Sequence, residues 1–140
     1  MQLDAAMHKT VEVHCVQGDE YFERDAGTEA LEAYETAWEL LPAPKEQWDI
    51  ATWIMLAIGD TCYLLDDLER SAEAYRKAQT CPGGKGNPLL HLRLGQVAFD
   101  QEAFDVAGDE LLLAYRGAGE SLFDDEDPVY LEFLKRARKL

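Results

Sequence analysis

Basic residues are scarce in this sequence, which holds 13 lysines and arginines against 28 aspartates and glutamates, a formal net charge of −15. A surface of that sign repels nucleic acid and anionic membranes, so we expect neither as a partner and favour a basic protein. The excess is concentrated in residues 1–69, which contain 16 acidic and three basic residues. A simpler interpretation stays open, because acidic residues also keep a small protein in solution.

Residues typical of catalytic and metal centres are also few. The three histidines, His8, His14 and His91, show no HExxH-type spacing, and the three cysteines show no CxxC spacing. His14 and Cys15 are adjacent, but neighbouring side chains on a helix point about 100° apart and do not easily meet as a nucleophile pair. The G-G-K-G segment at 83–86 has no preceding strand, unlike a phosphate-binding loop. We therefore expect no enzyme, no metal and no cofactor.

Membrane-spanning, secretory and disulfide features are missing as well. The most apolar window, 50–65, is interrupted by Gly59 and Asp60 and is shorter than the ~20 residues that a membrane span needs. The first ten residues show no basic segment followed by an apolar one, so no signal peptide is visible. An odd number of cysteines fits a reducing compartment. We expect a single, soluble and cytoplasmic domain over residues 1–140.

The sequence does contain apolar residues at helical spacing, in seven segments. The segments are approximately 3–24, 28–41, 44–65, 68–78, 88–99, 104–115 and 127–140. Side chains suited to N-caps lie at or just before the starts of several of them: Thr28, the pair Asp66–Asp67, Asn87 and Asp127. The pattern predicts an all-α protein of about seven helices, six of them arranged as hairpins.

Small residues give three of these hairpins a common register. A glycine lies late in the first helix of each pair, at Gly18, Gly59 and Gly95. Counted from that glycine, a small residue lies 12 positions later, a large residue 16 positions later and an alanine 19 positions later. These positions are Ala30, Ser71 and Ala107; Tyr34, Tyr75 and Leu111; and Ala37, Ala78 and Ala114. Small residues let paired helices approach closely, and we expect the large ones to fill the gap to the neighbouring pair.

This pattern resembles the tetratricopeptide repeat, a helix–turn–helix unit of about 34 residues with a G…Y…A…F…A…P signature. The first repeat matches the signature through Gly18, Tyr21, Ala30, Tyr34, Ala37 and Pro42. The second and third repeats depart from it at Ser71 and Leu111. The resemblance covers about residues 10–119. It implies a right-handed helical-repeat solenoid with repeats at about 3–42, 43–82 and 87–119 and a capping helix over 127–140.

The spacing of the repeats differs from that of the family. The first two glycines lie 41 residues apart, and the second and third lie 36 apart. The first excess, seven residues, equals two helical turns, so we expect it to lengthen the third helix from Pro44 without rotating its apolar face. That extension would place Glu46 and Asp49 near the rim of the groove. The second excess fits in the P-G-G-K-G loop at 82–86.

The resemblance also implies a concave groove lined by the first helix of each pair. With the glycine as position eight, positions two, five, nine and twelve face this groove. They are Glu12, Cys15, Asp19 and Phe22; Trp53, Leu56, Asp60 and Tyr63; and Leu89, Leu92, Gln96 and Phe99. The set lacks the lysines and asparagines with which chaperone-binding members hold a C-terminal carboxylate. Aromatic and acidic side chains suit a partner that presents Arg, Lys and apolar groups, unless the long helices or the C-terminal helix bury some of them.

A narrower resemblance concerns the chain length and the segments G-D-E-Y-F-E-R, W-E-L-L-P-A-P-K-E-Q-W and D-P-V-Y-L-E-F-L-K. They are similar to small bacterial repeat proteins encoded beside secreted polymorphic toxins. That similarity implies an immunity protein that occludes a basic toxin domain, with its acids accelerating association. The alternative is a general scaffold or adaptor that holds a peptide, or a self-associating module. The sequence is compatible both with a monomer and with a weak homodimer.

Overall fold

The computed structural model describes residues 1–140 and consists of seven α-helices that pack in sequential pairs. The helices are α1 Ala5–Glu23, α2 Gly27–Glu39, α3 Asp49–Leu64, α4 Leu68–Ala78, α5 Pro88–Asp100, α6 Phe104–Ala118 and α7 Pro128–Arg138. Two 3₁₀ helices, Lys45–Gln47 and Glu120–Phe123, lie in the connections. The prediction of an all-α chain with about seven helices is confirmed.

The chain divides into two compact units, Met1–Lys85 and Gly86–Leu140. In the first unit α1 packs against α2, α2 against α3, and α3 against α4. In the second unit α5 packs against α6, and α6 packs against α7. None of the seven helices combines the length and the apolar character that a membrane-spanning segment requires.

Each of the first three helix pairs is closed by a contact between a glycine and the large residue 16 positions later. The contacts are Gly18–Tyr34, Gly59–Tyr75 and Gly95–Leu111. A Cβ atom on Gly18 would lie 2.5 Å from the Tyr34 ring, far inside van der Waals contact, so the absence of a side chain permits this approach. The large residue thus packs against the glycine of its own pair, where the sequence led us to expect packing against the neighbouring pair.

The turns inside these pairs are also alike. Asp25, Asp66 and Glu102 follow the respective glycines by seven positions and have positive φ values of 61°, 61° and 62°. The N–H of the next residue donates to the carbonyl five residues earlier. These bonds join Ala26 to Tyr21, Asp67 to Cys62 and Ala103 to Ala98, at 2.8–2.9 Å. This is the Schellman arrangement, which provides partners for carbonyls at a helix C-terminus.

Replacing Glu102 by glycine is expected to raise the free energy of unfolding by about 0.5–1 kcal/mol. A left-handed conformation costs an L-residue free energy that glycine does not incur, whereas Asp tolerates this region better than Glu does. The matched variant Asp25→Gly should therefore gain less. Urea unfolding followed by circular dichroism measures both changes, and a loss of stability in the Glu102 variant would contradict this account of the turn.

The residues expected to lengthen the third helix form a connection instead. Helix α3 begins at Asp49, after the 3₁₀ helix Lys45–Gln47. The Lys45 Nζ atom donates to the backbone carbonyls of Trp38, Glu39 and Leu41, at 2.8–3.2 Å. A lysine that satisfies the last carbonyls of α2 holds the following chain beside that helix end. The predicted extension from Pro44 is therefore wrong.

Three predicted N-caps are confirmed and one is wrong. The carboxylate or amide oxygens of Asp67, Asn87 and Asp127 accept hydrogen bonds at the starts of α4, α5 and α7. Their donors are the backbone N–H groups of Arg70, Leu89 and Val129, at 3.3, 2.9 and 3.0 Å. Helix α2 begins at Gly27 with Ala26 at the cap position, so Thr28 lies inside the first turn. The preceding Schellman turn fixes this earlier start.

Candidate functional site

The first unit carries two open hollows that share Trp53. The smaller one, which we call the acidic hollow, measures about 200 Å³ and is lined by Asp19, Phe22, Tyr34, Trp53, Leu56, Ala57 and Asp60. The larger one, which we call the apolar hollow, measures about 680 Å³ and is lined by Met1, Gln2, Leu3, Ala5, His8, Asp49, Ile50 and Trp53. Helices α1, α2 and α3 thus bring five of the predicted groove residues together in the acidic hollow.

Two tyrosines fix the carboxylates of the acidic hollow. The Tyr34 hydroxyl donates to Asp19 Oδ1 at 2.5 Å, and the Tyr75 hydroxyl donates to Asp60 Oδ1 at 2.5 Å. Each ring lies on the glycine that precedes the aspartate, so the hydroxyl reaches the next residue along the helix. Hydrogen bonds to ionised acceptors are short and strong, and they hold these carboxylates in defined positions.

The Tyr34 hydroxyl stays a proton donor. Burial, followed by its hydrogen bond to Asp19 and the charge of that carboxylate, raises the pKa of Tyr34 well above its ordinary value. Removing this proton would place two negative charges in contact away from bulk water. The Tyr34–Asp19 bond therefore persists over the physiological pH range.

Trp53 is the most exposed aromatic side chain of the chain, with 58% of its surface accessible, and Phe22 is 36% exposed. Large aromatic side chains usually lie mostly buried, so an exposed tryptophan beside a hollow marks a candidate contact point. The indole face attracts cations as well as apolar groups. The combination of Trp53 with Asp19 and Asp60 therefore suits a basic or apolar side chain of a partner.

The other predicted residues of the first unit lie outside the acidic hollow. Glu12 is exposed and pairs with His8, Nε2 to Oε2 at 3.1 Å. Cys15 and Tyr63 are half-buried. Burial, then the charges of Asp19 and Glu12, raise the pKa of the Cys15 thiol to about 11. The thiol is therefore protonated at neutral pH and is a weak nucleophile.

Cys15 is expected to alkylate slowly below pH 10, with half-maximal iodoacetamide reactivity near the raised pKa. The Asp19→Asn variant should shift this midpoint to lower pH, because one of the charges that disfavour the thiolate is gone. Mass spectrometry of labelled peptides separates Cys15 from Cys62 and Cys81, which are buried. The urea-unfolded chain is the control and should react at all three thiols. A midpoint near pH 8.5 in the folded protein would contradict the prediction.

Two predicted residues of the third pair, Leu92 and Gln96, have contacts within their own unit. Leu92 is fully buried in a cluster with Leu111, Ala114, Phe123, Tyr130 and Leu134. Gln96 Nε2 and Arg93 Nη1 both donate to Glu126 Oε1 at 2.7 Å. Leu89 packs partly buried against the same cluster. The C-terminal segment of the second unit therefore occupies the surroundings of these side chains.

Phe99, the last predicted residue of the third pair, lies in an aromatic group. Its ring makes edge-on contacts with Phe104, Tyr130 and Phe133, at centroid distances of 5.1–5.5 Å. Such geometry is favourable for aromatic pairs. Two of the three partners belong to α7, so the C-terminal helix covers part of this aromatic side chain.

Glu46 and Asp49 also have partners in the first unit. Glu46 pairs with Lys77 of α4 at 3.2 Å, and Asp49 pairs with the α-amino group of Met1 at 2.6 Å. Asp49 lines the apolar hollow, whereas Glu46 lines neither hollow.

Sequence reasoning missed the apolar hollow. Leu3 precedes α1 and Ile50 lies in the first turn of α3, so neither occupies one of the groove positions that the repeat resemblance implies. Apolar residues at the start of two helices were the available signal. Helical periodicity describes single helices, and it does not say which helix ends enclose a hollow.

No group of three or more His, Cys, Asp or Glu side chains in residues 1–140 is arranged to hold a metal ion. The three cysteines are free thiols. Comparison with protein-family models and with curated proteins found no match. The resemblance to tetratricopeptide repeats therefore rests on the residues of this chain alone.

Proposed function

We propose that this chain is a non-catalytic protein-binding domain built from three repeats of the tetratricopeptide type, stacked as a right-handed solenoid and capped by α7. The glycine contacts of Gly18, Gly59 and Gly95 recur at one offset, which supports repetition of a single helix-pair design. The left-handed turn residues recur at one offset as well. Equivalent pairs that bury their faces on each other are the basis of such solenoids.

The binding surface that we propose is the acidic hollow, and its partner is a protein with basic and apolar side chains. The observation that carries this proposal is the exposed Trp53 beside the carboxylates of Asp19 and Asp60. The first unit contains 17 acidic and seven basic residues, so its field attracts a basic partner over the distance of a Debye length. The other predicted groove residues of the first unit, Glu12, Cys15 and Tyr63, would contribute around this centre.

In its narrower form, the proposal is that the chain is an immunity protein that occludes a basic bacterial toxin domain. Co-expression with the toxin domain encoded by a neighbouring gene tests this directly. We expect rescued growth and a complex that survives gel filtration. Continued toxicity without complex formation would refute the immunity role.

Self-association is a second candidate, and it rests on helix α1. Val13 and Val16 are 49% and 47% exposed on this helix, whose main packing partner is α2. An apolar strip on an outer helix is one route to a symmetric dimer. Sedimentation velocity of the wild type and of Val13→Glu over a range of concentrations separates the two candidates, because only self-association predicts a dimer that the substitution removes.

A further inference from the structure

Trp53 is a wall of both hollows in the first unit, which places an apolar depression directly beside an acidic one. The apolar hollow contains Leu3 and Ile50, and the acidic hollow contains Asp19 and Phe22. Two adjacent depressions of different chemistry are better suited to two different side chains of one ligand than to a single chemical group.

We propose that the surface around Trp53 binds an extended partner segment in which an apolar side chain and an arginine or lysine lie two residues apart. The apolar side chain enters the apolar hollow, and the cation enters the acidic hollow. This inference rests on the proposed protein-binding function and adds the recognition motif of the partner.

The spacing follows from helix α3, which contributes residues to both hollows. Its lining residues centre near position 51 in the apolar hollow and near position 57 in the acidic one. Six residues of α-helix span about 9 Å. In an extended chain, side chains two residues apart project to the same side and are separated by about 7 Å, whereas those three apart project to opposite sides. Within a β-extended segment, a spacing of two residues therefore places both side chains on the side that faces the hollows, and the length of an arginine or lysine side chain covers the rest of this distance.

The acidic hollow favours a cation over a second apolar group. The Asp19 carboxylate is held by the Tyr34 hydroxyl at 2.5 Å and is not neutralised by that neutral donor. Phe22 and Trp53 line the same hollow, and aromatic faces also stabilise cations. A guanidinium or ammonium group would compensate the carboxylate and stack on a ring at the same time.

A random library of linear twelve-residue peptides displayed on phage, selected on the full chain, tests the motif without a known partner. We expect enriched peptides in which an apolar residue and Arg or Lys lie two positions apart. Calorimetry with a selected synthetic peptide should show binding at least tenfold weaker to Trp53→Ala. The control Val106→Ala removes an apolar side chain that is 53% exposed on α6 and should bind as the wild type does.

A double-mutant cycle assigns each side chain to its hollow. Asp19→Asn, which keeps an oxygen acceptor for Tyr34, should weaken the basic peptide about tenfold and leave a peptide with citrulline in place of arginine unaffected. Leu3→Ser should likewise weaken binding of a peptide that has the apolar residue and leave binding of a peptide that lacks it unaffected. Glu20→Gln is the charge control for Asp19→Asn, because Glu20 is exposed on α1 and lines neither hollow.

Four outcomes overturn the inference: no enriched motif, a motif without a basic residue, a different spacing, or equal binding to Trp53→Ala. A dimer also overturns the inference if no peptide is enriched and if Trp53→Ala, but no control variant, abolishes the dimer. That outcome assigns the surface to a second copy of the chain. The immunity role fails separately. Continued toxicity on co-expression refutes that role, while an enriched motif sustains this inference. Neutralisation by Trp53→Ala at wild-type potency leaves the immunity role intact and refutes this inference together with the acidic hollow as the binding surface.

Discussion

Replacing Gly84 by alanine is expected to lower the free energy of unfolding by about 3 kcal/mol. Gly84 is buried in the loop after α4. A Cβ atom there would lie 2.8 Å from the carbonyl carbon of Ala78 and 2.9 Å from the Cα atom of Gln79, and it would also collide with the Ala78 oxygen. These are backbone atoms, so no side-chain rotation relieves the clash.

The neighbouring glycine provides the matched control. Gly83 has a φ of +72° and nothing within 4 Å of its would-be Cβ, so Gly83→Ala costs only the left-handed conformation, about 1 kcal/mol. Urea unfolding of both variants separates steric exclusion from backbone strain. Equal losses of stability would show that the loop moves away from Ala78 and that the close approach is dispensable.

Gly84 also illustrates what the sequence does not reveal. The segment at 83–86 contains three glycines, and its composition predicts a loop. The loop is present, but the reasons for its glycines differ. Gly83 and Gly86 have positive φ, while Gly84 makes room for another backbone segment. Composition alone cannot separate these requirements, because one is local and the other depends on a packed neighbour.

The register of the helix pairs was predictable because it depends on local geometry. Two antiparallel helices joined by the same turn bring residues at a constant offset into contact, so the offset between Gly18 and Tyr34 was identifiable from the sequence, although the packing partner of the tyrosine ring was not. The structure of the seven extra residues before the third helix was not predictable in this way. Seven extra residues could have added two turns to the helix. Instead, the Lys45 Nζ atom donates to three carbonyls at the end of α2, and the extra residues form a connection. A hydrophobic pattern does not show which backbone carbonyls a lysine side chain contacts.

The surroundings of the predicted groove residues were predictable in the first unit and less so in the second. Asp19 and Trp53 were identified by register and lie in the same hollow. Leu92 and Phe99 obey the same register, yet they contact residues of the C-terminal segment. The amphipathic pattern of α7 predicts that it covers an apolar face, and it does not specify which one.

The double variant Trp53→Ala with Asp19→Asn is expected to weaken binding of the toxin domain from the neighbouring gene by about 3–4 kcal/mol, a factor of several hundred. Truncating an aromatic anchor and removing one partner of a buried charge pair are both costly changes at an interface. Folding should be unaffected. Trp53 is 58% exposed, and the Asn oxygen still accepts the Tyr34 hydroxyl.

Titration calorimetry with the purified toxin domain measures the effect, and circular dichroism confirms equal helicity of the variants. Val106→Ala with Asp105→Asn is the matched control, since it removes an exposed apolar side chain and an acid on α6, outside both hollows. If both double variants bind as the wild type does, the acidic hollow is not the binding surface. If both lose affinity equally, the partner responds to net charge, and Trp53 has no special role. Only a selective loss in the Trp53 variant assigns recognition to the tryptophan and its neighbouring carboxylate.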